Sequence, residues 1–217
     1  MNPIILAIIA VTCIISYQAL NDIRLFEKYK FNVAAIKNKK EYIRLISAGF
    51  LHADFTHLFF NMFTLFFFAP IVVQGFGNIG FLIIYLGSIF LGNLFSLFLY
   101  QKQPWYSAIG ASGGVSGVLF SAIAMLPNIE LYFFFILPIK GYVFGLLYFA
   151  YSVYMMLNPK QYDNIGHAAH LGGAFFGLVY AIANQPERAM ENALYIGIMA
   201  LPLIYLSYEI FINKRIR

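Results

Sequence analysis

The sequence is short of charge, of acidic side chains and of cysteine. Only 11% of its 217 residues are charged, nine are Asp or Glu, and one is a cysteine. Set against 61% hydrophobic residues and a mean hydropathy of +0.75, so little charge excludes a soluble domain, which could not hide that much apolar surface. The lone Cys13, inside the first apolar run, allows no internal disulfide and reads as a small core hydrophobe. Scarce acidic residues within the apolar runs count against a small transporter or metal carrier built on the four histidines, because ion paths place carboxylates within spans. No basic tract in a soluble module stands behind the net charge of +5. The basic residues cluster between Arg24 and Arg44 and at Lys214, Arg215 and Arg217, as loops beside lipid headgroups do, so nucleic acid is not an expected partner. A secretory signal is disfavoured too: residues 3–20 lack a basic leading segment, and Ala7-Ile8-Ile9-Ala10 is embedded in the apolar run.

What the chain has instead is long apolar runs. In lipid every backbone polar group needs an internal partner, so only helices or closed barrels cross; these runs are too long for barrel strands and do not alternate. At about 20 residues per span, the pattern predicts seven helices, over 3–20, 55–73, 79–100, 109–126, 141–157, 165–184 and 193–212. The Phe-rich run 131–139, interrupted by Pro138, is too short to cross and is expected to be interfacial or re-entrant. Residues 21–54 form the one long polar stretch and the only large extramembrane feature expected. The fold class is therefore all-α: a polytopic helical membrane protein forming a single integral membrane domain over 1–217, with a six-helix core to about residue 184 and an extra C-terminal helix at about 193–212.

Chemistry concentrates in three places. All the histidines fall in two pairs, His52/His57 and His167/His170, and between them lies Gly110-Ala111-Ser112-Gly113-Gly114-Val115-Ser116-Gly117. A strongly polar residue at bilayer depth costs roughly 2.5–3.5 kcal/mol on insertion scales, which makes such residues functional candidates. His57 and Asn61 share a helix face near the start of a span, with Asp54 placed to cap it. Two neutral donors aimed at one point suit an oxyanion hole; the plainer reading is interhelical hydrogen bonding worth about 0.6–2 kcal/mol. Ser112 stands between Gly110 and Gly113, and Ser116 between Gly114 and Gly117. Alone, that pattern is equally a helix-packing device, and it lacks the preceding strand of a soluble nucleophile elbow. His170 precedes the Gly173–Gly177 step by about one turn, so if its helix packs on that of Ser112 the imidazole can take the serine proton. His167, nearer the mouth, reads as a headgroup or loop contact. With Asp163 in a loop and Glu209 late in the last run, no acidic third member is evident, and the set is a Ser–His dyad.

At these residues the chain resembles the rhomboid intramembrane serine proteases. The matching pieces are His52 followed by His57-Leu58-Phe59-Phe60-Asn61, then Gly110-Ala111-Ser112-Gly113, then Ala169-His170-Leu171-Gly172-Gly173 and Gly177, in the family's order. The resemblance implies Ser112 as nucleophile, His170 as general base, an oxyanion site from His57, Asn61 and the Ser112 backbone N–H, and a supporting role for His52 and for Gly110, Gly113, Gly173 and Gly177. It implies hydrolysis in or near transmembrane segments of other membrane proteins, with no cofactor or metal. Substrates would be single-pass helices able to unwind, with small residues near the cut, and residues 158–164 with the top of the fifth helix would form a gate. The expected place is the plasma membrane of a bacterium; oligomeric state stays open. A proteolytically inactive relative that escorts membrane proteins would share the fold, but such relatives lack the serine or the histidine. This sequence departs from the pattern at Ser116, where many members have a tyrosine, at Gln74-Gly75 and at Ile43-Arg44. The seventh helix matches a six-plus-one arrangement. On orientation two signals disagree. Twelve of the fourteen Lys and Arg lie on the side of the first loop, which the positive-inside rule would make cytosolic, whereas the family places the N-terminus there; the family pattern is followed, because an embedded, structured loop is not the short connection the rule describes.

Overall fold

The computed structural model describes residues 2–133, 136–160 and 165–215. Helix α1 (Pro3–Asn21) starts at an Asn2 cap, and its buried positions Ile5, Thr12, Ser16 and Ala19 recur at helical spacing, giving one stripe toward the bundle and the rest toward lipid. The polar stretch 21–54 is folded rather than loose: α2 (Ile23–Tyr29), β1 (Phe31–Asn32), α3 (Val33–Lys39), α4 (Arg44–Ser47) and a 3-10 turn (Ala48–Phe50). Arg44 organises it. Its buried guanidinium donates to the carbonyls of Glu27 and Lys30 at 2.8 and 2.7 Å and pairs with Glu41 at 2.6 Å.

Residues 55–73 and 79–100, expected as separate spans, are the two arms of α5 (Phe55–Leu99), which is broken at Gly77 by a non-helical backbone. At 1.5 Å per residue, 45 residues would reach about twice the roughly 30 Å hydrocarbon thickness, so the helix must fold back. Gly77, at φ 71° and ψ 179°, makes that reversal in a conformation side chains resist. Leu58, Leu65 and Val72 of the first arm then meet Phe81, Tyr85 and Ile89 of the second in one buried cluster.

The chain next descends through β2 (Ser107–Ala108), which pairs antiparallel with β1, into α6 (Ser112–Met125). The helix begins three residues later than expected: Gly110 stands at φ +119°, outside helical space, and its N–H donates to the Ala48 carbonyl. At 14 residues α6 is only about 21 Å long. It is short because protein surrounds it; every residue from Gly113 to Met125 is buried.

Within the run 131–139, expected to be interfacial or re-entrant, the described residues form strands: β3 (Glu130–Phe133) and β4 (Leu137–Lys140) pair antiparallel, with Leu131 opposite Ile139. Its aromatic and branched residues favour strands, and Pro138 tolerates an outer ladder position but not a helix interior. The Lys140 ammonium, 2.8 Å from Glu130, holds that carboxyl below its ordinary range. The remaining helices are α7 (Gly141–Leu157), α8 (His167–Asn184), α9 (Pro186–Glu191) and α10 (Ala193–Phe211). α10 closes the bundle against α7, where Met199, Leu206 and Ile210 join Phe120, Phe149 and Val153. Among the described residues α1, α5 and α10 are long and apolar enough to cross a membrane. The fold is a polytopic helical membrane fold decorated with two short antiparallel pairs.

Candidate active site

The bundle draws α5, α6 and α8 together where their glycines face one another. A Cβ on Gly173 would fall on the carbonyl of Gly113, and one on Gly177 on the carbonyl of Gly117. A Cβ on Gly92 would likewise meet the Ala169 carbonyl. Ser121 bridges this contact, donating at 2.8 Å toward both the Gly117 and Gly177 carbonyls. Backbones this close leave room only for side chains one turn away. His170 is three residues before Gly173 and Ser112 is one before Gly113, so the crossing sets them against each other: Ser112 Oγ lies 2.6 Å from His170 Nε2. With the proton on Nδ1, Nε2 accepts the serine hydroxyl, the tautomer that general-base chemistry requires. Ser112 opens α6, so its N–H has no intrahelical acceptor and points with the positive end of the helix dipole.

Asp54 caps α5 as its position suggests, accepting from the His57 N–H at 2.7 Å. The His57 ring stands beside Gly110: a Cβ there would come within 2.8 and 2.9 Å of His57 Cε1 and Nε2 and 3.4 Å of Ser112 Oγ. At its positive φ, Gly110 therefore serves both as turn and as gap between imidazole and hydroxyl. Asn61 lines the same cavity but donates its Nδ2 to the His57 carbonyl of its own helix at 3.0 Å. The two donors share a face; the His57 ring lies against Gly110, and the Asn61 amide bonds its own helix.

His52 is fully buried and holds the residue before the serine, its Nε2 accepting the Ala111 N–H at 3.2 Å. On the other side Nδ1 lies 2.8 Å from Ser16 Oγ, whose hydroxyl donates to the Phe50 carbonyl. The serine proton being spent there, Nδ1 is the donor to Ser16 and the ring is neutral with both nitrogens used. Burial and the neighbouring His57 depress its pKa to about 3. Ser16, one serine in an apolar run, offers no sequence signal for this.

A cavity of about 880 Å³ opens over the pair. Phe60, Phe63, Phe67 and Leu119 give it apolar walls, and Glu130 and Tyr132 of β3 reach its rim. Ser116 faces the cavity one turn beyond Ser112, and its hydroxyl is 2.7 Å from that of Tyr148 on α7. His167 is not at the headgroups: α7 covers the first turn of α8, leaving it 5% exposed, with its ring edge-on to Tyr151 at 5.5 Å. Of the expected gate 158–164, residues 161–164, including Asp163, lie outside the described residues. Glu209 is committed elsewhere, accepting from Asn213 at 3.1 Å. Among the described residues no three potential metal ligands come together.

Fold and site define a polytopic helical membrane protein with a serine and an imidazole joined inside its bundle. Residues 39–186 match the rhomboid domain, and the chain belongs to the rhomboid family. It is 28% identical over 161 residues to Rhomboid protein 1, mitochondrial, of Saccharomyces cerevisiae, covering 70% of this chain and 46% of that one. Over 79 residues it is 42% identical to a rhomboid-named protein of Bacillus subtilis (36% and 38% covered). To RHOMBOID-like protein 6, mitochondrial, of Arabidopsis thaliana it is 32% identical over 151 residues (69% and 46%). The matches thus span less than half the length of these relatives. Mitochondrial proteins stand foremost among them, so a bacterial plasma membrane is not supported as the location; an integral membrane protein is.

Proposed function

We propose that this protein is a serine endopeptidase that cuts peptide bonds in or near the transmembrane segments of other membrane proteins. The observation that carries the reading is the 2.6 Å approach of Ser112 Oγ to His170 Nε2 within the bundle. His170 takes the hydroxyl proton as Oγ attacks the scissile carbonyl, then returns it to the leaving amine; water entering by the cavity attacks the acyl-serine with His170 again as base. The Ser112 N–H, the His57 ring and the Asn61 amide, once turned from its own helix, would receive the oxyanion. Substrate helices must unwind locally, since a helical peptide bond presents its carbonyl poorly, and the apolar cavity walls suit their flanking residues. The test is cleavage of a single-pass substrate in proteoliposomes, with fluorophosphonate labelling of the serine. Folded protein that takes no label and leaves the substrate whole defeats the reading.

Two further outcomes are expected. Asn61→Ala and His57→Ala should keep the protein folded and labelable while lowering kcat by about 10²–10³, the usual cost of one oxyanion donor. Wild-type turnover in both would remove the oxyanion assignment. For orientation, Lys39→Cys in a Cys13→Ser background, expressed in bacterial cells, should react with an impermeant thiol reagent before permeabilisation. Labelling only afterwards would put the first loop, and the cavity with it, on the cytosolic side, as the charge count has it.

A further inference from the structure

Positive charge is left over where the first loop meets the end of α5. Glu27 and Glu41 are committed, to Lys30 and Arg44, each at 2.6 Å. Lys37 and Lys39 of α3, Lys40 just after it, and Lys102 in the turn after α5 form no ion pair among the described residues. Ile36 is buried in one cluster with Leu97, and this packing sets Lys37 beside the end of α5, where its ammonium donates to the Gln101 carbonyl at 3.0 Å. From there a groove of about 580 Å³ runs along the second arm of α5, walled by Leu91, Leu94, Phe95 and Phe98 and headed by Lys37 and Gln101. The walls recur at intervals of three and four residues, one face of a helix. None of these residues lines the cavity over Ser112.

Length limits what can lie there. From Leu91 to Gln101 the groove covers about 15 Å at 1.5 Å per residue, half of the roughly 30 Å hydrocarbon thickness. A partner helix needs the whole thickness, whereas an acyl chain of one leaflet needs half. The two ends agree with a lipid: apolar walls for a tail, and at the loop end a cation with two N–H donors beyond the one given to Gln101. We propose that this groove binds a phospholipid with an anionic headgroup, its phosphate against Lys37 and one tail along Leu91, Leu94, Phe95 and Phe98. Lys102, next to Gln101 in the chain, adds a second positive charge at the head. Phe95 backs onto α8, where a Cβ on Gly172 would stand 3.0 Å from it, so a bound lipid supports the α5–α8 contact as well as the seat of α3.

The experiment titrates phosphatidylglycerol or phosphatidylcholine into the whole chain in a neutral detergent, counting bound lipid by native mass spectrometry and following thermal unfolding. Phosphatidylglycerol should bind the more tightly and raise Tm with its concentration, as a ligand of the folded state does. Lys37→Gln keeps a donor and drops the charge; it should weaken phosphatidylglycerol about fivefold, the usual worth of one lysine at an acidic lipid surface, and leave phosphatidylcholine unchanged. Lys37→Arg should bind as the parent does, and so should Lys160→Gln, which removes an exposed charge outside the groove. Leu94→Trp, filling the groove from an exposed position, should weaken both lipids. If that variant does not fold, the two Lys37 variants decide, since they alter an exposed side chain. Equal affinity for the two lipids, a Lys37→Gln loss no greater than that of Lys160→Gln, or inorganic phosphate raising Tm as far as phosphatidylglycerol does, each overturns the proposal. Neither readout involves cleavage, so the result is independent of whether Ser112 and His170 react.

Discussion

Ser112→Ala is expected to abolish both cleavage and fluorophosphonate labelling, a loss of about 10⁴-fold or more, the scale seen when one member of a catalytic unit is removed. Ser116→Ala, in the same glycine setting and on the same face of α6, is expected to lose only about threefold, because the group that meets its hydroxyl is a tyrosine hydroxyl rather than an imidazole. The contrast follows from two contacts of nearly equal length. Ser112 Oγ is 2.6 Å from His170 Nε2, a base; Ser116 Oγ is 2.7 Å from a tyrosine hydroxyl, which is not one. Position in the helix adds to it. Ser112 opens α6 with an N–H left for an oxyanion, whereas Ser116, a turn deeper, lies where N–H groups bond the preceding turn. His170→Ala should match Ser112→Ala, and the double variant should be no worse than either, since a nucleophile and its base fail as a unit. A Ser112→Ala protein that still cleaves while Ser116→Ala is dead would move the nucleophile one turn along the helix.

The parts of this arrangement that could be read from the chain share a cause: they rest on short-range spacing. Four residues along a helix bring His57 and Asn61 onto one face, Asp54 stands three before the N–H it caps, and the glycines beside Ser112 and after His170 mark where backbones can meet. Helical apolar runs likewise announce the spans. What spacing does not carry is the choice of neighbour across helices. Tyr148 is one of sixteen tyrosines, and nothing around it signals that α7 will lay its ring on His170. Ser16 lies 36 residues before His52 and meets it only once α1 has packed on the turn at Phe50. The pairing of 130–133 with 137–140 was hidden for a different reason, since a short aromatic run carries no sign of strand or helix until its partner is known. Gly77 hid in another way: the two spans on either side were legible, but not that this one glycine, at φ 71°, would make the break between them.

The second large effect belongs to the glycines that bring α6 and α8 into contact. Gly173→Ala and Gly177→Ala each place a methyl on a carbonyl of α6, that of Gly113 and that of Gly117. A backbone carbonyl inside a helix cannot swing aside as a side chain can, so the helices must separate, at the cost of about 1–3 kcal/mol typical of overpacking. Both variants should therefore unfold at lower temperature, and Gly197→Ala, with nothing within 4 Å of its Cβ position on α10, should not. Helix propensity alone favours that control by up to about 1 kcal/mol. Turnover should divide the two damaged variants. Gly173 is three residues from His170, and moving its contact by even an ångström lengthens the bond to Ser112, which can cost about 10²-fold; Gly177 acts a turn further down, beside Ser121 rather than the site. The expected order in kcat is Gly197→Ala, then Gly177→Ala, then Gly173→Ala, with the last two similar in thermal stability. Equal stability and equal kcat in all three would mean that the glycine contact between α6 and α8 is not what sets serine against histidine.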